Sequence, residues 1–90
     1  MISIIITAFN EMRTIGRAVE SILKQDIKEN YEILVVAPDS ETGKIVESCK
    51  NTRFIQDYGV GKPSALNIAF KEAKGDILIL TDGDVFLDSK

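Results

Sequence analysis

Four short apolar runs, at residues 3–7, 33–36, 53–56 and 77–80, limit what this chain can fold into. Most of their positions are β-branched or aliphatic, as in Ile4-Ile5-Ile6 and Ile77-Leu78-Ile79-Leu80, and they lack the polar alternation of a half-exposed strand. Runs of this kind belong to strands buried on both faces, which occur in parallel sheets covered by helices. The stretches between them are long enough to be helices. The expected architecture is therefore α/β: a Rossmann-like βαβαβαβ three-layer sandwich of four parallel strands joined by right-handed crossovers.

The intervening periodicity supports this. Residues 11–25 place Met12, Ile15, Val19, Ile22 and Leu23 at helical spacing, with Asn10 as the N-cap. Asp39 or Ser40 caps a shorter helix reaching about Lys50, with Ile45, Val46 and Cys49 on its inner side. A third helix starts at Pro63, buries Leu66, Ala69, Phe70 and Ala73, and takes Gly75 as its C-cap. Gly59 and Gly61 bracket a loop within one crossover and do not mark a linker, so a single domain is expected.

Ninety residues give one small domain with a thin core, and 44% apolar with 28% charged residues is ordinary globular composition. The net charge is −3 and the basic residues form no stripe, which argues against a nucleic-acid partner. The apolar start at residues 1–6 is too short for a spanning helix and lacks the basic flank of a signal peptide, so a reducing, cytoplasmic setting is expected. Cys49 is the one cysteine and reads as structural. Histidine is absent, which removes Ser-His and Cys-His mechanisms and every imidazole metal ligand.

Open parallel sheets bind ligands beyond the carboxyl ends of their strands. At that rim the sequence sets Thr7-Ala8-Phe9-Asn10-Glu11, Ala37-Pro38-Asp39-Ser40, Asp57-Tyr58-Gly59-Val60-Gly61-Lys62 and Asp82-Gly83-Asp84. Two carboxylates one residue apart at a strand end suit a hard divalent cation that keeps open positions for phosphate oxygens. Each group also has a plain structural account. Asp82-Gly83-Asp84 is good turn chemistry, Asn10 and Asp39 are good helix caps, and Lys62 is an ordinary solvated charge.

Read together, these segments resemble the nucleotide-binding half of the family 2 glycosyltransferases, the inverting enzymes of the GT-A fold. Residues 3–11 look like the family's opening strand and its Pro-Ala-Tyr-Asn-Glu turn, with Thr7 in place of proline and Phe9 in place of tyrosine. Residues 14–25 are similar to its first helix, Tyr31 to Val36 to its second strand, Gly61 to Asn67 to a Gly-Lys-x-x-Ala-Leu-Asn segment, and Lys74 to Asp84 to the strand and Asp-x-Asp that hold the donor's metal. Ala37-Pro38-Asp39 stands where the family usually has paired aspartates.

The resemblance implies strand order 3-2-1-4 and a hexosyltransferase acting on a nucleotide diphosphate sugar, a UDP- or GDP-sugar, with inversion. By the same carry-over Ala8, Phe9, Glu11 and Asp39 frame base and ribose, and Lys62 and Asn67 brace the pocket or reach the diphosphate. Asp84, with Asp82 beside it, holds Mg²⁺ or Mn²⁺, and Asp82 and Gly83 also meet the donor, Asp82 through its ribose or sugar where one carboxylate is enough for the metal. The family's acceptor half, with its catalytic base, has no counterpart in the sequence. Residues 1–90 are thus expected to be a nucleotide-sugar-binding half domain, inactive alone, that self-associates through its fourth strand and meets membrane only through the absent half. A nucleotidyltransferase-like or non-catalytic nucleotide-binding module is the alternative. The former resembles families with a glycine-rich loop after strand one, and Thr7-Ala8-Phe9-Asn10 has no glycine.

Overall fold

A computed structural model describes residues 1–9 and 12–82, the side chains of Met12 and Asp82 excepted. The elements run β1 (Ile2–Thr7), α1 (Met12–Leu23), β2 (Tyr31–Ala37), α2 (Ser40–Val46), β3 (Thr52–Gln56), α3 (Lys62–Glu72) and β4 (Ile77–Asp82). All strands pair in parallel in the order β3-β2-β1-β4, as the resemblance implies. Steps from β1 to β2 to β3 go in one direction, so right-handed crossovers set α1 and α2 on one face. The return from β3 to β4 carries α3 across the other.

Side-chain alternation then divides the core in two. Ile4, Ile6, Ala8, Ile33, Val35 and Ala37 meet Ile15, Val19 and Ile22 of α1 and Val46 of α2. Ile5, Leu34 and Val36 meet Ala65 and Ala69 of α3, whose small side chains let that helix lie close to the sheet.

Burial on both faces holds for β1 and β2 and fails at the borders. β3 is only partly covered, and Ile77, Leu78, Ile79 and Leu80 of β4 are 53%, 41%, 46% and 50% exposed. An apolar run specifies a strand, but its burial depends on what lies over it. The described helices pack over β1, β2 and β3.

The helices correct the sequence expectation in detail. α1 ends two residues early, and the expected cap Asn10 lies outside the described residues. α2 stops at Val46 and turns Thr42, Gly43 and Val46 inward, which leaves Ile45 39% exposed on the flank that approaches Gly16 of α1. Phe70 is likewise 44% exposed, because Ala65 and Ala69 take the sheet-facing stripe of α3. The C-cap of α3 is Ala73, in extended conformation with its amide on Ala69 O at 2.8 Å. Gly75 serves close approach instead. A Cβ there would stand 2.7 Å from Met1 O, Ser3 N and Ser3 Oγ.

That approach belongs to a polar knot at the amino ends of the strands, which the sequence did not announce. Ser3 Oγ donates to Glu32 Oε2 at 2.6 Å and accepts from the Gly75 amide at 2.8 Å. The Lys74 amide donates to the same Glu32 oxygen at 2.7 Å, and Arg53 Nη2 donates to Glu32 Oε1 at 3.0 Å and to Glu72 O at 2.7 Å. Burial raises the Glu32 pKa, but the hydrogen bonds from Ser3, Lys74 and Arg53 and the guanidinium charge outweigh it and hold the carboxyl below its usual range. Cys49 packs half-buried against the α1 core as a free thiol, pushed up by burial and by the charge of Glu20.

Candidate functional site

A cleft of about 300 Å³ opens over the carboxyl ends of β1, β2 and β3, beneath the start of α3. Its walls are Thr7, Ala8 and Phe9, then Pro38, then Asp57, Gly59 and Gly61, and finally Lys62 and Ala65. Each wall follows from local chain chemistry. The Ala8 amide donates to Val36 O at 3.0 Å, which extends the β1–β2 pairing and delivers Phe9 to the rim with 62% of its surface exposed. At the β3 end, the Asp57 amide donates to Ala37 O at 3.0 Å, and Asp57 Oδ1 accepts from the Gly59 amide at 2.6 Å. This is an Asx-type turn, and the chain leaves it through Gly59 at a left-handed φ of 71°, which glycine adopts without strain.

Gly61, at φ 116°, then feeds α3, whose first turn carries Pro63 and has no side-chain cap. An uncapped helix start presents the positive end of the helix dipole. With Lys62 it gives one wall of the cleft a positive character. Phe9 adds an aromatic ring to the lining, and Asp57 contributes a carboxylate. An apolar plate, a hydrogen-bond acceptor and a cationic end suit a nucleotide better than a purely apolar ligand.

The expected site residues separate accordingly. Ala8, Phe9 and Lys62 come together in the cleft. Asp39 is the N-cap of α2: its Oδ2 accepts from the Thr42 amide at 3.2 Å and from Thr42 Oγ1, and its Oδ1 is buried without a hydrogen-bond partner among the described residues. Only its neighbour Pro38 lines the cleft. Asn67 is exposed on α3 and is not a wall residue. Glu11, Gly83 and Asp84 lie outside the described residues. Asp82 ends β4 directly opposite Thr7 in the parallel register. Among the described residues no cluster of three or more acidic or cysteine ligands forms. Thr7, Pro38, Asp57, Gly59 and Gly61 are wall residues that the sequence set on the rim without an individual role, and Ala65 is a wall residue known beforehand only as part of the Gly61 to Asn67 segment.

Residues 3–90 match the family model for glycosyl transferase family 2. The chain belongs to that family. It is 38% identical over 89 residues to the UDP-Glc:alpha-D-GlcNAc-diphosphoundecaprenol beta-1,3-glucosyltransferase WfaP of Escherichia coli, covering 93% of this chain and 35% of WfaP. It superposes on S. aureus TarS 1–349 in complex with UDP with a TM-score of 0.80 at 29% identity, over 99% of this chain and 29% of that one. The mannosyltransferase PcManGT from Pyrobaculum calidifontis, in complex with GDP-Man and Mn²⁺, gives a TM-score of 0.80 at 25% identity, over 94% and 28% of the two chains. The sheet is that of a GT-A glycosyltransferase, and the chain spans about a third of these relatives or less.

Proposed function

We propose that residues 1–90 are the donor-binding half of an inverting glycosyltransferase that takes a sugar from a nucleoside diphosphate carrier, a UDP- or GDP-sugar. The observation that carries this reading is the position of the cleft, at the carboxyl rim between Phe9, Asp57 and Lys62 and under the amino end of α3. Relatives of similar fold hold UDP or GDP-Man.

In this reading the base stacks on Phe9 beside Ala8, and Asp57 accepts a hydrogen bond from the base or ribose. Lys62 and the start of α3 meet the diphosphate, an anion suited to a helix amino end. Asp39 holds α2 and thereby fixes Pro38. Glu11 would meet the base or ribose, as the family resemblance implies. Asp82 and Asp84 would hold Mg²⁺ or Mn²⁺, and their chemistry fits: carboxylates are hard oxygen ligands, and the backbone of Asp82 is level with the wall residue Thr7. When bound, such an ion offsets the charge that grows on the departing diphosphate.

The carboxylate that deprotonates the acceptor belongs to the acceptor half, so these residues alone transfer no sugar. No helix among the described residues is long and apolar enough to cross a membrane. A free thiol and a nucleotide-sugar donor fit a cytoplasmic setting. The test is calorimetry of the purified chain with UDP, GDP, CDP and dTDP, each with and without Mn²⁺. One or more should bind in a Mn²⁺-dependent manner, and failure of all four would overturn the reading.

A further inference from the structure

We propose that Glu32 is a positioning residue that sets the register of β4 on β1, and with it the level at which the Asp82 backbone meets the cleft. Its buried carboxylate gathers segments from three directions. Oε2 accepts from Ser3 Oγ of β1 at 2.6 Å and from the Lys74 amide, just ahead of β4, at 2.7 Å, and Oε1 accepts from Arg53 Nη2 of β3 at 3.0 Å. Ser3 Oγ in turn accepts from the Gly75 amide at 2.8 Å, and Arg53 Nη2 also donates to Glu72 O at 2.7 Å. Residues 72, 74 and 75 are thus tied by their backbone to fixed points on the first three strands, and the Asp76 amide follows on Met1 O at 2.9 Å.

The side chains of β4 do little to choose that register. A strand resists slipping where one face is apolar and the other polar, since a slip then turns the wrong set inward. Ile77-Leu78-Ile79-Leu80 is aliphatic on both faces, and β1 opposes it with Ile4-Ile5-Ile6. The observed register pairs Ile4 with Ile79 and Ile5 with Leu80. A slip of two residues toward the carboxyl rim would pair Ile4 with Ile77, Ile5 with Leu78 and Ile6 with Ile79, keep every side chain on its own face, and set Leu80 opposite Thr7. Asp82 would then lie about 6.6 Å beyond Thr7. What opposes this slip is the knot. The same shift would pull the Lys74 and Gly75 amides off Glu32 and Ser3 and leave a buried carboxylate short of a donor, a cost that one aliphatic pairing exchanged for another does not offset.

The experiment is disulfide trapping in a Cys49→Ser background, with neither nucleotide nor metal added. Register partners on neighbouring strands stand about 4.8 Å apart, whereas positions offset by two residues are about 8 Å apart, too far to bridge. Thr7→Cys with Asp82→Cys should therefore cross-link about tenfold faster or more than Thr7→Cys with Leu80→Cys. Adding Glu32→Gln should lower that ratio about fivefold or more, because the slipped register becomes populated. Ser3→Ala, which removes the acceptor of the Gly75 amide and keeps the Glu32–Arg53 pair, should lower it too, and it decides the point if Glu32→Gln does not fold. Val46→Ala, a core truncation under α2 that costs stability by another route, should leave the ratio unchanged. A parent ratio near one, or a ratio that neither knot variant alters, would overturn the proposal. An equal fall in Val46→Ala would overturn it as well, by reducing Glu32 to a general stabiliser. The importance of this register for the site rests on the donor-binding reading, but the two fail separately: unchanged trapping leaves that reading intact, and failure of the four nucleotides to bind leaves the register role intact.

Discussion

Thr7 and Asp82 are parallel-register partners at the carboxyl ends of β1 and β4. Thr7 is also a wall of the cleft. The pairing joins two segments 75 positions apart and brings the start of the Asp-Gly-Asp segment to the cleft's border.

Asp84→Asn should abolish Mn²⁺-dependent nucleotide diphosphate binding and leave the thermal unfolding curve unchanged. In an enzyme containing this half, the loss of rate should be roughly 10²-fold or more, the scale of removing one preorganised charge stabiliser. Asp82→Asn should weaken the same binding. Equal Mn²⁺·UDP affinity in the Asp84 variant and the parent chain, by calorimetry, would refute the metal assignment.

Asp57 and Asp39 should separate cleanly. Asp57→Asn keeps an oxygen for the Gly59 amide but removes the charge, so nucleotide affinity should fall about tenfold, the equivalent of ~1.4 kcal/mol, with little change in stability. Asp39→Ala removes the α2 cap and should lower stability by about 1 kcal/mol. Paired titrations and urea melts of the two variants decide the point. A larger affinity loss in the Asp39 variant would return the base-contacting role to that residue.

Glu32→Gln should destabilise the chain by roughly 1–3 kcal/mol at pH 7, because it weakens several charge-assisted bonds in a buried knot. The folded-state carboxyl titrates below its unfolded value, so its contribution is complete above the unfolded pKa and disappears as pH falls through the lower folded one. The gap between parent and variant, followed by urea unfolding, should therefore be constant from pH 7 to about 5 and close in more acid solution. A gap that widens on acidification would contradict the depressed pKa.

Gly75→Ala should cost about 2 kcal/mol or more. Its new methyl would press on backbone atoms of Met1 and Ser3, which cannot swing aside as a flexible side chain would. Circular dichroism melts should show the loss, and an unchanged midpoint would mean that this corner yields.

The sequence made the order of elements legible because strand and helix signals are local: Ile4-Ile5-Ile6 and the Ile15, Val19, Ile22 stripe identify themselves. The parallel order 3-2-1-4 came through family resemblance. What stayed hidden depended on partners distant in the chain. The exposure of Ile77 to Leu80 follows from what covers a border strand, and the exposure of Phe70 from Ala65 and Ala69 reaching the sheet first. Gly75 resembled a helix cap because it follows a helix, whereas its neighbours lie more than seventy residues away. At the site, Phe9 and Lys62 were readable from motifs. Asp57 was placed on the rim by its position after the third strand, but a single loop carboxylate has no pattern that gives it a role until the fold shows it lining the cleft.

The knot of Ser3, Glu32 and Arg53 sits at the amino ends of the strands, and the cleft at their carboxyl ends. Whatever holds the first three strands in register is thus kept a full strand length from whatever touches the ligand. Loop substitutions at Phe9, Asp57 or Lys62 can reshape the cleft without loosening the scaffold, and sequences descended from this chain could vary that rim while inheriting the same foundation.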